Sequence, residues 1–389
     1  MSAASTSEAE DVQNDETIRI REEFEMNRRD FLRYSAFCGL SVTLGNFFPD
    51  GEAAGMPTRD MALLKDIQVI DAHAHPDRYV RGPGQVDNTS TIKAITALGM
   101  VASSFAAVGD QVFLSRGRAP GDEYHNTKTQ LDWWVKGPLK SDKLKLVLKA
   151  SDVPSAVSAN SPPGAILAIE GGDPLEGNPD RVNEFYRYGV RMITLVHYRN
   201  NELGDIMRMM QNLLPGPAHH GLTPAGRKVV ERMEDLGMLV DVAHADAITL
   251  KEIVEMSSRP LVDSHTSPCP GEDPLNCGRF RTWKEMEMVA KTGGVVCTWP
   301  MAYQGKTLTR MTFLDWATEI LEMKKRLGMD HVGLGTDGGG NIPRLIEGYR
   351  DVGDLVHLVK AMKEVGLSQD EISVYMGGNF YRVLRSCIG

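Results

Sequence analysis

Short runs of apolar residues alternate with longer segments of helical periodicity from Met61 to the end of the chain. Within most runs the apolar residues are successive, which is typical of strands in a parallel sheet that is covered on both faces. The pattern therefore predicts eight strands, at residues 68–71, 100–108, 165–170, 191–196, 238–241, 261–264, 295–298 and 332–335.

Helical segments lie between most of these strands. In residues 223–236, Thr223 is a preferred N-cap, Pro224 suits the first helical position, and Gly237 ends the helix. A second helix is predicted at residues 283–291, and insertions at 82–89 and 124–140. Eight strand–helix units predict an α/β fold, a (β/α)₈ TIM barrel, with an open doubly wound sheet as the alternative. Because no Gly-x-Gly-x-x-Gly follows the first strand, a dinucleotide-binding version of the open sheet is disfavoured.

The first 58 residues have a different character. Residues 1–26 are polar and acidic, which predicts disorder. The pair Arg28-Arg29 is followed by Phe31-Leu32 and a mildly apolar run at 34–48, which resembles a twin-arginine export signal. We therefore predict a disordered terminus and signal peptide in residues 1–58, a single barrel domain in residues 59–389, and a periplasmic location.

The net charge, the apolar stretches and the cysteines exclude several classes of partner and site. The 389 residues carry a net charge of −9, which argues against nucleic acid and anionic membrane surfaces. No apolar stretch reaches the roughly 18 to 20 residues that a membrane span needs. Five cysteines include no Cys-x-x-Cys pair. Cys269 and Cys277 are close in sequence, and they either form a disulfide in an oxidising compartment or remain free thiols.

Polar side chains of metal-ligand type follow six of the apolar runs, where strands are predicted to end. In a barrel these ends meet on one face, which is where active sites lie. Five histidines, one glutamate and one aspartate at the same structural position favour a metal site over chance. The residues are His73, His75, Glu170, His197, His244, His265 and Asp337.

The ligand types indicate the metal and its number. His73 and His75 are two residues apart, so both imidazoles point to the same side and can bind one ion. Nitrogen and carboxylate ligands without thiolates suit Zn²⁺, and Mn²⁺ or Fe²⁺ are alternatives. The set is too large for one tetrahedral ion, which predicts two ions that share a carboxylate and a bridging hydroxide. Asp337 would accept the proton of this nucleophile and later pass one to the leaving amine.

These residues and their neighbours resemble the membrane (renal-type) dipeptidases, peptidase family M19, within the amidohydrolase-like metal-dependent hydrolases. The resemblance covers residues 67–384. The matching segments are residues 70–73, 168–172, 191–197, 221–244, 263–267, 331–337 and 377–380.

The resemblance implies a role for each metal-ligand residue. His73 would bind the first of two ions, most simply zinc, and Glu170 would bridge both. His244 and His265 would bind the second ion. The amidohydrolase-like barrel that the resemblance implies agrees with the fold expected from the apolar pattern.

The resemblance also implies substrate contacts. His197 would contact the scissile carbonyl oxygen as it becomes an oxyanion. Arg279 would hold the free carboxylate of the substrate through its bidentate fork. Arg281, two residues away, is the alternative for this role.

Two positions depart from the family pattern. His75 stands where the family has an aspartate, which raises the charge of the site by one and affects the pKa of a metal-bound water and the preferred metal. The segment 338–340 is Gly-Gly-Gly, where family members often carry another aspartate. These departures bear on the substrate more than on the fold.

We therefore expect a zinc-dependent dipeptidase that cleaves small dipeptides. One alternative is a related amidohydrolase that acts on a cyclic amide, a lactam or an N-acyl amino acid. Another is a metal-dependent maturation protein of a periplasmic pathway. A free-carboxylate clamp at Arg279 favours dipeptides, and a homodimer is an open alternative to a monomer.

Export should depend on the guanidinium groups of Arg28 and Arg29. Replacing both with lysine keeps the charge but not the planar fork, so we expect the protein to stay in the cytoplasm. Cell fractionation tests this. Recovery of the double variant outside the inner membrane would refute the twin-arginine assignment.

Overall fold

The computed structural model describes residues 60–77, 90–110, 122–158, 160–207, 217–270, 277–340 and 342–389. The predicted export signal and the predicted insertion at 82–89 lie outside these residues, so both stay predictions. The predicted helical insertion at 124–140 is present as a helix at Glu123–Trp134 and a wider helical turn at Val135–Leu139. Among the described residues, no helix has the length and apolarity that a bilayer crossing requires.

All eight predicted strands are present, with ends that differ by at most two residues from the prediction. Three further two-residue strands, β3, β9 and β10, were not predicted. The strands are β1 Ile70–Asp71, β2 Ala102–Val108, β3 Lys145–Leu146, β4 Gly164–Glu170, β5 Val190–Thr194, β6 Leu239–Asp241, β7 Val262–Thr266, β8 Val295–Thr298, β9 Tyr303–Gln304, β10 Thr309–Arg310 and β11 Val332–Leu334.

The eight predicted strands form one parallel sheet in the order β1, β2, β4, β5, β6, β7, β8, β11. The first and last strands also meet, because the Ala72 amide donates to the Leu334 carbonyl at 3.0 Å and the Asp337 amide donates to the His73 carbonyl at 2.8 Å. An open doubly wound sheet would leave these two edges apart. The barrel prediction is confirmed.

The helices begin where the sequence supplies caps. The Thr223 side chain accepts a hydrogen bond from the Gly226 amide, and Thr282 and Glu285 form a reciprocal capping box. The helices are α1 Ile92–Leu98, α2 Glu123–Trp134, α3 Pro179–Tyr188, α4 Pro224–Asp235, α5 Ala247–Met256, α6 Trp283–Lys291, α7 Phe313–Leu327, α8 Leu355–Glu364, α9 Gln369–Ser373 and α10 Asn379–Ile388.

Strand residues contribute alternately to two apolar layers. In β2, Phe105 and Ala107 belong to the larger cluster with the apolar faces of the helices. Ala102 and Ala106 belong to a smaller cluster inside the barrel. This alternation follows from the period of two in a strand, and burial on both faces explains the continuous apolar runs.

The C-terminal helix α10 packs against the interior layer through Phe380, Val383 and Leu384. Gly237, directly before β6, has φ +73°, and a Cβ there would lie 2.4 Å from the Cys387 carbonyl oxygen. Helix α10 therefore lies at the amino-terminal end of the strands. The carboxyl ends are left to the loops that carry the polar residues.

The strand register brings these carboxyl ends to one level. Glu170 is opposite Val108 on one side and Thr194 on the other, and Thr194 is opposite Asp241. The polar residues that follow the strands therefore lie around one rim of the barrel.

Candidate metal centre

Aspartates at the strand ends hold the turns that carry the histidines. The Asp71 carboxylate accepts hydrogen bonds from the His73 amide at 3.2 Å and from the Thr336 amide at 2.8 Å. The Asp241 carboxylate accepts the Ala243 amide at 3.1 Å, just before His244. These hydrogen bonds give a physical reason for the spacing between each aspartate and the histidine that follows it.

Five imidazoles surround the carboxylate of Glu170, which is only 2% exposed. Each ring approaches it with its Nε2 atom. The distances to Oε1 are 3.4 Å from His73, 3.0 Å from His244 and 3.3 Å from His265, and those to Oε2 are 3.2 Å from His75 and 3.4 Å from His197.

Three overlapping sets of ligand atoms lie within 4.8 Å of one another. Their members are His73, His75 and Asp337; His73, Glu170 and His265; and Glu170, His197 and His244. The structure thus brings together all seven residues predicted from the sequence. Glu170 and His73 each belong to two of the sets, and of the two only the carboxylate has two oxygen atoms with which it could bridge two ions. The division of the individual ligands between two ions stays a prediction.

The donor atoms fit a metal ion. His73 Nε2 is buried and has no hydrogen-bond partner. His75 Nδ1 lies 2.7 Å from the Ala106 carbonyl oxygen and donates its proton to it, so Nε2 is the nitrogen that faces the centre. A ligand histidine that donates its other ring nitrogen to a carbonyl is typical of metal sites. Nitrogen and oxygen donors without thiolates suit Zn²⁺.

The electrostatics of the centre suit a cation. Burial alone would raise the pKa of Glu170, but the nearby His197 and His73, together with the contacts of the His244 and His265 imidazoles, hold it well below its usual value. Burial lowers the pKa of His244 and of His265 well below the usual range, and Arg279 and His73 respectively add to this effect. A carboxylate that stays ionised among two neutral imidazoles is ready to coordinate.

His75 behaves differently in the absence of metal. Burial lowers its pKa, but hydrogen bonds with Asp337 and Glu170 outweigh burial and raise the pKa to about 10. Its Nε2 atom lies 3.2 Å from Glu170 and 3.5 Å from Asp337. A proton on this atom occupies the position that a cation would take between the two carboxylates.

Two site residues at this rim have unusual backbone conformations. His244 and Asp337 have φ of 66° and 49°, values that residues other than glycine rarely adopt. A Cβ at Gly340 would lie 1.8 Å from Oδ1 of Asp337. Gly340 therefore makes room for the Asp337 carboxylate in its present position.

Of the two arginines considered for substrate binding, Arg279 faces the centre. Its Nη2 lies 3.2 Å from His244 Nε2 and donates to the His265 carbonyl at 2.9 Å, and Nη1 is buried with no hydrogen-bond partner. Arg281 is fully buried and committed elsewhere, because its Nε donates to Asp263 at 2.8 Å and its other nitrogens donate to backbone carbonyls. These hydrogen bonds favour Arg279 over Arg281 as the arginine that faces the centre.

Cys269 and Cys277 form a disulfide, which decides between the two alternatives left by the sequence. Cys277 is two residues before Arg279. On the other side, the Cys269 amide donates to the Arg281 carbonyl at 2.8 Å. The segment that carries Arg279 is thus attached on both sides to the chain that follows β7.

A further residue of the site, Asp110, was not predicted from the sequence. Its side chain is fully buried, Oδ1 lies 3.1 Å from His197 Nδ1, and Oδ2 accepts the Tyr198 amide at 2.8 Å. The signal was available, because Asp110 follows the apolar run of β2 as the other site residues follow theirs. Asp110 orients His197, so that Nε2 of this ring points to Glu170.

Comparisons with known proteins agree with this geometry. The family model of the membrane dipeptidases, peptidase family M19, matches residues 58–387. The dipeptidase tcpJ of Claviceps purpurea is 28% identical over 247 residues, which are 64% of this chain and 56% of that relative. The chain thus spans little more than half the length of this curated relative.

Solved structures share the fold. The probable dipeptidase PvdM from Pseudomonas aeruginosa matches with a TM-score of 0.71 and 18% identity, covering 84% of this chain and 97% of that one. A metallopeptidase from Rhodobacter sphaeroides, liganded with a phosphinate mimic of the dipeptide L-Ala-D-Ala, matches with a TM-score of 0.68 and 19% identity, covering 82% and 99%. At this identity the likeness supports the barrel alone.

Metal uptake should release a proton from His75. Because the pKa of this imidazole is about 10 without metal, it is protonated at pH 8, and a metal must displace the proton. Apparent zinc affinity should therefore rise with pH up to about 10. Calorimetric titrations in buffers of different ionisation enthalpy measure the protons released. In His75→Gln the number should fall by about one, and an unchanged number would show that His75 is not the proton source.

Proposed function

Because this chain belongs to the membrane dipeptidase family, peptidase family M19, we propose that it is a dipeptidase that hydrolyses the amide bond of small dipeptides with two divalent ions. Zinc fits the nitrogen and oxygen donors best. The observation that carries the proposal is the buried guanidinium of Arg279, which lies beside the imidazoles with one nitrogen unpaired.

The ions would supply chemistry that side chains alone cannot, because bound divalent ions polarise a carbonyl group and lower the pKa of water to near 7. The ligands would be His73, His75, Glu170, His244 and His265. Their Nε2 and carboxylate atoms already face one another, so little reorganisation is needed for binding.

Asp337 would act as the general base and then as the general acid. Burial raises the pKa of its carboxyl group, but the nearby His265 and a hydrogen bond with His75 lower it by more. The pKa is therefore below its usual value, and the ionised group is able to accept a proton. The 3.5 Å contact with His75 places this carboxylate at the edge of the ligand set. From this position it can take a proton from the attacking water and return one to the leaving amine.

His197 would stabilise the oxyanion. Asp110 accepts a hydrogen bond from its Nδ1, and both the negative charge of Asp110 and that of Glu170 raise the pKa of this imidazole against the effect of burial. A protonated Nε2 then donates a hydrogen bond to the oxygen on which charge develops.

Arg279 would select the substrate by length. A buried guanidinium with an unpaired nitrogen is unfavourable by itself, and a carboxylate matches its fork. In a dipeptide the free carboxylate is separated from the scissile amide nitrogen only by one Cα atom. A carboxylate held by Arg279, adjacent to His244, therefore brings the last amide bond of the substrate to the metal ligands.

An N-acyl amino acid presents the same carboxylate, and only the free amine of a dipeptide distinguishes the two substrates. A cyclic amide without a carboxylate would leave Arg279 unpaired, which disfavours that alternative. We further propose that the enzyme acts in the periplasm, for which the export test above is decisive. A homodimer is also proposed, and light scattering tests it.

Asp337→Asn should keep both metals and lower kcat. Asparagine is nearly isosteric but cannot accept the proton, and general acid–base catalysis contributes about 10² to 10⁴ in rate. Elemental analysis should find two ions per chain in both proteins, and a dipeptide library gives kcat. A parental value no higher than one ion per chain after zinc supplementation would refute the binuclear proposal. A variant with parental kcat would remove Asp337 from the mechanism.

Arg279→Met should raise KM for dipeptides by about 10- to 100-fold, because a hydrogen bond to a charged group contributes about 1.5 to 3 kcal/mol. Arg279→Lys is the matched control, since it keeps the charge but loses the bidentate fork. Its KM should lie between those of the parent and of Arg279→Met. For dipeptide amides, which lack the carboxylate, KM should be similar in all three proteins. An equal rise in KM for dipeptides and for dipeptide amides would contradict the binding of the carboxylate by Arg279. Faster turnover of N-acyl amino acids than of dipeptides would favour the alternative substrate class.

A further inference from the structure

One hydroxyl group contacts two of the imidazoles from behind. Ser264 lies in β7, directly before His265, and is fully buried. Its Oγ lies 2.9 Å from His265 Nδ1 and 3.3 Å from His73 Nδ1. The same oxygen lies 2.7 Å from Oδ2 of Asp241. Four groups thus meet on the side of the rings that faces away from Glu170.

The single proton of this hydroxyl decides how these contacts are arranged. The Asp241 carboxylate also accepts hydrogen bonds from the Ser264 amide at 3.0 Å, the Ala243 amide at 3.1 Å and the Thr194 hydroxyl at 2.5 Å. Surrounded by donors, this carboxylate acts as an acceptor, so the Ser264 hydroxyl donates to it. The two lone pairs of Oγ are then left to accept protons from the imidazoles.

Two rings that donate to Ser264 must each carry the proton on Nδ1. Their Nε2 atoms then present lone pairs toward Glu170 Oε1, at 3.4 Å for His73 and 3.3 Å for His265. The two rings are stacked, with centroids 4.1 Å apart and planes 25° from parallel. This near-parallel arrangement is what a shared acceptor on one side and a shared carboxylate on the other require.

We propose that Ser264 is a positioning residue that sets the tautomer of one ligand of each metal ion and so couples the two metal sites. This inference rests on the proposed binuclear centre, in which His73 and His265 bind different ions. Asp241 fixes the direction of the hydroxyl, and Ser264 transmits that direction to both rings. Ser264 itself does not touch the metal or the substrate.

The test measures metal affinity by competition with a chromophoric chelator, together with circular dichroism and thermal unfolding. Ser264→Ala removes the shared acceptor, and loss of such a partner typically lowers metal affinity about 10- to 100-fold. Both stepwise zinc affinities should fall, because one ligand of each ion is affected. Ser264→Thr retains a hydroxyl at the same position and should recover most of the loss.

Thr194→Val is the matched control. Thr194 donates to the same oxygen of Asp241, and none of the hydrogen bonds described for it reaches an imidazole. Its removal perturbs Asp241 without changing the acceptor for the rings, so zinc affinity should change by less than the tenfold lower limit expected for Ser264→Ala.

The outcomes separate this inference from the proposed function. If the parent protein binds fewer than two ions, the binuclear proposal fails, and so does the coupling that depends on it. If the parent binds two ions and Ser264→Ala binds both with parental affinity, the role of Ser264 is refuted while the proposed function stands. If Ser264→Ala loses affinity for just one of the two ions, the coupling is refuted. If Ser264→Ala and Thr194→Val lose zinc affinity equally, the effect is a structural one through Asp241, and the role of Ser264 is refuted. If Ser264→Ala does not fold, parental affinity in a folded Ser264→Cys, whose thiol is a weak acceptor, also refutes the role.

Discussion

The rim of this barrel depends on one buried carboxylate. Glu170 is 2% exposed, and the isolated charge would be several kcal/mol less stable there than in water. Five imidazoles lie within 3.4 Å of it, two after β1 and one each at the ends of β5, β6 and β7, and the positive charge that the raised pKa of His75 favours offsets part of this penalty. The same arrangement without metal leaves a proton on His75. The ring of imidazoles that surrounds the buried carboxylate is therefore also the arrangement of donor atoms that would suit a cation.

The sequence was sufficient to predict the strands, Glu170 and the six residues around it, for one physical reason. A strand that is covered on both faces must be apolar throughout, so a histidine or carboxylate at its end stands out against the run. Because parallel strands direct their carboxyl ends to one rim, a linear pattern could be converted into a cluster. The confirmed resemblance to the membrane dipeptidases depends on the same segments.

Contacts between side chains of different loops could not be predicted from the sequence. Arg279 and Arg281 have the same charge and are two residues apart, and nothing in their neighbours distinguishes an arginine that donates to Asp263 from one that faces His244. Asp110 was not predicted although it follows β2, because an aspartate after a strand is usually a cap. Its contact with His197 requires the loops after β2 and β5 to meet, and they do so only in the folded barrel.

The histidine at position 75 is tolerated because of what surrounds it. An imidazole in place of a carboxylate removes one negative charge from the centre, yet both Glu170 and Asp337 remain within 3.5 Å of its Nε2. The ring is also fixed from behind by the Ala106 carbonyl of β2, in the same way that Ser264 fixes His73 and His265. Each of these partners lies in a barrel strand or directly beside one. The tautomers of the ligands are therefore set by the strand register, so a barrel that closes with a different register would lose the lone pairs as well as the positions that a metal needs.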